Sequence, residues 1–232
     1  MRRVQLAALA AAASLMFVAP VQGQDQAIAV EGGGIHIAGW QGRIDAGETR
    51  AGQVLNNARL AQQGDALHVK TGPAVAYWNP ANTVSGDYTV RATFREPEYM
   101  ALNNHPHPYG IFIGGNDMGT DNQTYLYCAA YGSGTFIVRG FGPAPFSVSE
   151  RRPTAHDAVN KAAEKGQPVT QEIAVTVRGG KIECAINGTV VGSYDVAAAT
   201  GEGKLKSTDG IYGIRFAHNT EGFVTGFGVT KH

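Results

Sequence analysis

Tyr125, Tyr127 and Tyr131 fall on one phase of an apolar stretch running from Thr124 to Tyr131, with Ala129 completing that phase and Leu126, Cys128 and Ala130 on the other. In an extended chain these two sets point to opposite faces. If Leu126, Cys128 and Ala130 face a core, the tyrosines project from the far side of the sheet. Sugars stack their C–H faces on aromatic rings, and a tyrosine adds a hydroxyl for hydrogen bonding. Arg139, on the expected partner strand, would add a charge-assisted donor for a carboxylate or a sugar hydroxyl. The competing reading has the rings packed beneath long loops as ordinary structural aromatics.

His105 and His107 stand two residues apart in Asn103-Asn104-His105-Pro106-His107-Pro108, with Tyr109 close behind. Two imidazoles at this spacing could ligate a metal if a third ligand, His156 or His218, came near, because catalytic zinc takes three protein ligands. A loop-anchoring role is the plainer alternative. Asp117 and Asp121, flanked by Asn116 and Asn122, make an oxygen-rich turn of the kind calcium uses. The same residue types also form ordinary turns. Calcium is possible at this turn, and no cofactor is required. Glu96 and Glu98 flank Pro97, but neighbouring positions at a strand end do not bracket a glycosidic bond as paired acids must. No Gly-x-Ser-x-Gly elbow occurs and neither cysteine sits in a catalytic context, so no catalytic set is expected. Cys128 and Cys184 both lie in apolar phase within strand-like segments. One disulfide and two buried thiols are both consistent with that placement.

The elements that must position these residues are strands. Ile173, Val175 and Val177 alternate with polar neighbours, Gly179-Gly180 supplies a tight turn, and Ile182, Cys184 and Ile186 resume the alternation. Asn187-Gly188 then marks a second hairpin, since both residues tolerate the positive φ of a type I′ turn. Tyr88, Val90, Ala92 and Phe94 share one face of another strand, ended by Pro97. Further strands are expected over 66–71, 74–78 (stopped at Asn79-Pro80), 109–113, 124–131, 135–139, 208–217 and 222–230, with Ile35 and Ile37 at an edge. Trp40 to Leu60 reads as loop with short structure. One short helix is expected from Thr154, an N-cap with Asp157 three residues on, to the stop at Gly166.

Composition agrees. Thirty-one glycines in 232 residues favour many tight turns over long helices. Nineteen basic residues balance nineteen acidic ones without runs of either sign, which argues against a nucleic-acid partner. Arg2-Arg3, the apolar run Leu6 to Val18 and the small residues before Gln24 read as a secretory signal peptide over 1–23. Residues 24–232 would then form a single domain, periplasmic or secreted, with no membrane span in the mature chain.

Taken together, the segments GDYTVRATF, YGIFIGG, IAVTVRGGKIECAINGTVVGSY and DGIYGIRFAHNTEGFVTGFGV resemble the concanavalin A-like lectin/glucanase superfamily, most nearly its laminin-G-like and 3-keto-disaccharide-hydrolase-like branches. The matching positions are Gly86-Asp87, Gly110, Asn187-Gly188, and Gly210 with Gly213. The resemblance covers about residues 66 to 231 and implies an all-β antiparallel sandwich of jelly-roll type. The Glu-x-Asp-x-x-Glu strand of laminarinase-type glycosidases is absent, so no catalytic residue carries over. The expectation is an exported carbohydrate-binding or adhesion-type lectin-like domain, recognising a carbohydrate or glycoconjugate through Tyr125, Tyr127, Tyr131, Arg139, His105, His107 and Tyr109. A 3-keto-disaccharide-hydrolase-type enzyme and a structural envelope protein that binds another protein are the alternatives.

Overall fold

The computed structural model describes residues 26–142 and 144–232. The expected signal peptide lies outside the described residues. The chain runs β1 (Gly34–Ile35), β2 (Gln41–Ile44), α1 (Ala46–Arg50), β3 (Arg59–Gln63), β4 (Ala66–Lys70), β5 (Val75–Val84), β6 (Tyr88–Glu96), β7 (Pro108–Asn116) and β8 (Thr124–Tyr131). It continues β9 (Thr135–Phe141), β10 (Pro145–Ser147), β11 (Thr154–Ala155), β12 (Val169–Arg178), β13 (Lys181–Ile186), β14 (Thr189–Asp195), α2 (Val196–Ala199), β15 (Gly210–Phe216) and β16 (Glu221–Lys231).

Two sheets stack as a sandwich. The first has the order β1-β3-β4-β16-β6-β12-β13-β14, and the second β10-β9-β8-β7-β15-β5-β2 with β11 added to β9. Period-two alternation decides what lies between them. Tyr88, Val90, Ala92 and Phe94 of β6 and Ile173, Val175 and Val177 of β12 meet Ile111, Ile113, Leu126, Cys128, Ala130, Ile214 and Phe216 of the second sheet in one buried cluster. Cys128 on β8 and Cys184 on β13 form a disulfide across this core, with Cα atoms 5.8 Å apart. It ties the two sheets together and settles the choice the sequence left open.

The second sheet is buried on its outer face as well. Ala76, Trp78, Phe112, Tyr125, Tyr127, Ala129 and Ile137 form a separate apolar cluster there, partly covered by Met118, Tyr131, Phe141 and Ile211. A strand buried on both faces needs a nearly continuous apolar sequence, and Thr124–Tyr131 has one.

Two local expectations are corrected. The helix expected from Thr154 does not form: Thr154 and Ala155 pair with Phe136 and Thr135 of β9. The residues that follow are held in turns by Ala162 N–H to Gly132 O and by a bridge between Ser133 and Lys161. Val159 and Ala162 are buried in this irregular path, so tertiary bonds outweigh a weak helical propensity. The short helices lie instead at α1 and α2. Asn79-Pro80 does not stop β5; the strand bulges there, where a proline is tolerated, and resumes pairing at Thr83 and Val84. The segment from Trp40 to Leu60, expected as loop with short structure, contributes β2, which pairs with β5 and adds an edge to the second sheet.

Candidate functional site

The outer face of the second sheet carries an open groove of about 960 Å³. Its floor comes from β8 and β15, one wall from β2 and α1, and the other from β9 and the turn into β10. Tyr127, Tyr131, Arg139, Phe141 and Arg215 line it, and His105, His107 and His218 lie in the same lining.

Strand register explains this gathering. Tyr127 stands opposite Arg139 on β9, and Tyr125 opposite Phe141. Pro108 at the start of β7 stands opposite Tyr131 at the end of β8. Along β8 the groove therefore runs from Tyr131 beside the histidine loop, past the Tyr127–Arg139 pair, to Phe141 over Tyr125. Burial pushes the Tyr131 hydroxyl above its ordinary range, so it remains a neutral donor and acceptor at physiological pH. Tyr131 and Arg139 are partly exposed. Arg139 Nη2 donates to the Arg151 carbonyl at 3.1 Å, which holds the guanidinium at the groove wall.

Arg215 is the buried charge of the floor. It donates to both carboxylate oxygens of Asp45, at 2.8 and 2.5 Å, and to the Tyr125 hydroxyl at 3.1 Å. Its guanidinium carbon lies 4.7 Å from the Phe141 ring centroid and 5.2 Å from that of Tyr127, within cation–π range. Desolvation alone would lower its pKa, but the charge and hydrogen bonds of Asp45, together with Tyr125 and Tyr127, more than offset this and hold the group as a cation. The side chain has room because Arg215 is in register with Gly110, and Gly110 with Ala129. A Cβ on Gly110 would lie 2.0 Å from the Cys128 carbonyl oxygen, so glycine is required there.

At the end of the groove the three histidines converge. β7 and β15 are antiparallel neighbours with Phe216 opposite Tyr109, and Ala217 N–H donates to Pro108 O at 2.9 Å. Extending that register by two residues sets His218 opposite His107. His107 Nδ1–H donates to the His218 carbonyl. His105 Nδ1 lies 2.8 Å from Asn104 Oδ1, and the Nε2 atoms of His105 and His107 are 2.8 Å apart. Behind them His218 Nδ1 is 3.8 Å from Glu48 Oε1, a carboxylate oriented by Ala74 N–H at 3.2 Å. The loop that presents His105 is fastened by Asn103 Nδ2 to Asn219 O at 2.9 Å and by Lys165 Nζ to Asn103 O at 3.2 Å.

Of the residues the sequence singled out, Tyr127, Tyr131, Arg139, His105, His107, His218 and Asp121 line one groove. Tyr125 is on the same face but only 1 % exposed, beneath Phe141 with ring centroids 5.1 Å apart, and does not line the groove; its hydroxyl accepts from Arg215. Tyr109 belongs to the opposite phase and lies in the inter-sheet core, stacked on Phe94 and Phe216. This corrects its expected place beside His107, because the alternation of β7 turns its ring inward. His156 is elsewhere, accepting from Ala158 N–H and edge-on to Phe136. Asp117 and Asp121 do not gather as a calcium site: Asp117 pairs with Lys206, and Asp121 with Arg43 at 2.5 Å. Glu96 is buried away from the groove, accepting from Met100 N–H at 3.2 Å.

Asp45, Glu48, Phe141 and Arg215 had no place in the sequence reading of the site. Arg215 did leave a signal, as a lone charge between Ile214 and Phe216 in an otherwise apolar strand, where a buried charge implies a partner.

No protein-family model and no curated protein sequence matches the chain. Solved structures do. A carbohydrate-binding module of the CBM66 type from Bacillus subtilis aligns with a TM-score of 0.55 at 9% identity, covering 85% of this chain and 98% of that one. A Bacillus subtilis protein of unknown function with a galectin-like fold aligns at 0.51 and 14% identity, covering 83% and 89%. At these identities the likeness is one of fold, a galectin-like β-sandwich, in agreement with the sandwich that the sequence resemblance implied.

Proposed function

We propose that this chain is a lectin-like domain that binds carbohydrate, without turnover, in the groove of the second sheet. The observation that carries the reading is the convergence of partly exposed Tyr131 and Arg139, with Tyr127 and Phe141, over a floor whose own charge is already neutralised by Asp45. A sugar ring can stack on the aromatics while Arg139 and the tyrosine hydroxyl bond its hydroxyls or a carboxylate. The CBM66-type neighbour supports this as an analogy of fold. Export is part of the proposal: residues 1–23 as signal peptide, 24–232 as one domain, and a periplasmic or secreted site of action. The Cys128–Cys184 disulfide supports it, since such bonds persist in oxidising compartments. Among the described residues no helix is long and apolar enough to cross a membrane.

The test is a glycan array probed with the purified mature chain, including neutral and acidic sugars. Binding to a defined set of glycans is expected, and a blank array contradicts the reading. The histidine cluster at the groove end favours one second reading, a sugar hydrolase. Turnover of 3-keto-glycosides by the wild type that is lost in His107→Ala would replace the binding-only account.

A further inference from the structure

We infer that His105, His107 and His218 form a site for one divalent transition-metal ion, of the zinc class, opening onto the groove. One ring nitrogen of each histidine lies within 4.8 Å of those of the other two. The tautomers favour a cation. Nδ1 of His105 faces the Asn104 oxygen and Nδ1 of His107 the His218 carbonyl, so both rings carry their proton on Nδ1. Their Nε2 lone pairs then point at each other across 2.8 Å, an arrangement that needs a cation or a proton between them. His218 turns its Nδ1 towards the Glu48 carboxylate, at ion-pair distance.

A histidine whose second nitrogen is held by a carbonyl or carboxylate is the usual form of a metal ligand, because the outer partner fixes the tautomer and ring orientation. His105 and His107 have such a partner here, and the Glu48 carboxylate lies 3.8 Å from the Nδ1 of His218. Tetrahedral zinc with bonds of about 2.0–2.1 Å places its ligand nitrogens about 3.4 Å apart. The 2.8 Å spacing of His105 and His107 and the 4.8 Å limit of the set bracket that value. Small adjustments of the exposed His105 ring would complete the site. Imidazole ligands select zinc, nickel, copper or iron over magnesium and calcium, which prefer oxygen. Three protein ligands leave a fourth position for water or a ligand oxygen, as in open zinc sites. The inference stands without the carbohydrate reading, because it rests on the cluster alone.

The experiment is a titration of chelator-treated, refolded-free mature protein with zinc chloride alone, in competition with a chromophoric chelator, and with cobalt chloride read by its visible absorption. One equivalent of zinc per chain is expected, with a cobalt spectrum of four-coordinate character. His105→Ala, at an exposed position, should weaken zinc binding by more than tenfold while leaving circular dichroism unchanged. Glu48→Gln should weaken it on the order of tenfold, the size of effect typical of outer partners. Absence of stoichiometric zinc binding overturns the inference, as does binding that is equal in wild type and His105→Ala. A pair of histidines that shares only a proton would give the first of those results.

Discussion

Arg215 grips Asp45 through both terminal nitrogens, at 2.8 and 2.5 Å, linking β15 to the start of α1 beneath the groove. The Arg215 side chain is 8% exposed and that of Asp45 23%. Asp45→Ala strands a buried cation among Tyr125, Tyr127 and Phe141. Loss of about 3 kcal/mol of stability is expected by urea denaturation. A loss within about 0.5 kcal/mol would mean that the aromatic cage alone holds the charge.

The disulfide joins residues 56 apart in sequence. Closing a loop of that length restricts the unfolded chain, so Cys128→Ala with Cys184→Ala should cost about 4 kcal/mol by the chain-entropy account. Denaturant midpoints of wild type and the double variant check this.

Glu96 and Glu221 give opposite pH dependences. Desolvation raises the Glu96 carboxyl to about 7, only partly countered by the Met100 N–H. A carboxyl raised in the folded state binds its proton more tightly there. Its contribution is therefore full below about pH 4.5 and fades as pH rises towards 7. Glu96→Gln should flatten that decline, which on this shift amounts to about 3 kcal/mol.

Glu221 is lowered to about 2 by the hydrogen bond from His68 and by Lys70, in spite of burial. Its stabilisation is present above the unfolded carboxylate range and lost as pH falls from about 4.5 towards 2. Thermal melts of Glu221→Gln across that window should show a shallower acid limb than wild type.

The fold was legible because β-sandwich signals are local. The Gly179-Gly180 and Asn187-Gly188 turns, and the alternation of β6, β12 and β13, follow from turn chemistry and a period of two. The phase of β8 likewise assigned Leu126, Cys128 and Ala130 to the core and the tyrosines to the outer face. What failed was decided by tertiary pairing. The expected helix at Thr154 was overruled by β9, and Tyr109 was judged by nearness to His107 when strand phase governed it. The site was legible only as fragments. That His218 meets His107 depends on the register of β15 against β7, and that Asp45 neutralises Arg215 depends on a contact between residues 170 apart in sequence.

If the groove over β8 binds sugar through Tyr131 and Arg139, removing either side chain must weaken the complex. The most direct measurement is the calorimetric affinity of the wild-type chain and of Tyr131→Ala and Arg139→Ala for a glycan retained on the array. Each substitution should weaken binding roughly tenfold, about 1.4 kcal/mol, with the fold intact. Unchanged affinity in both variants would place the binding surface elsewhere and contradict the account.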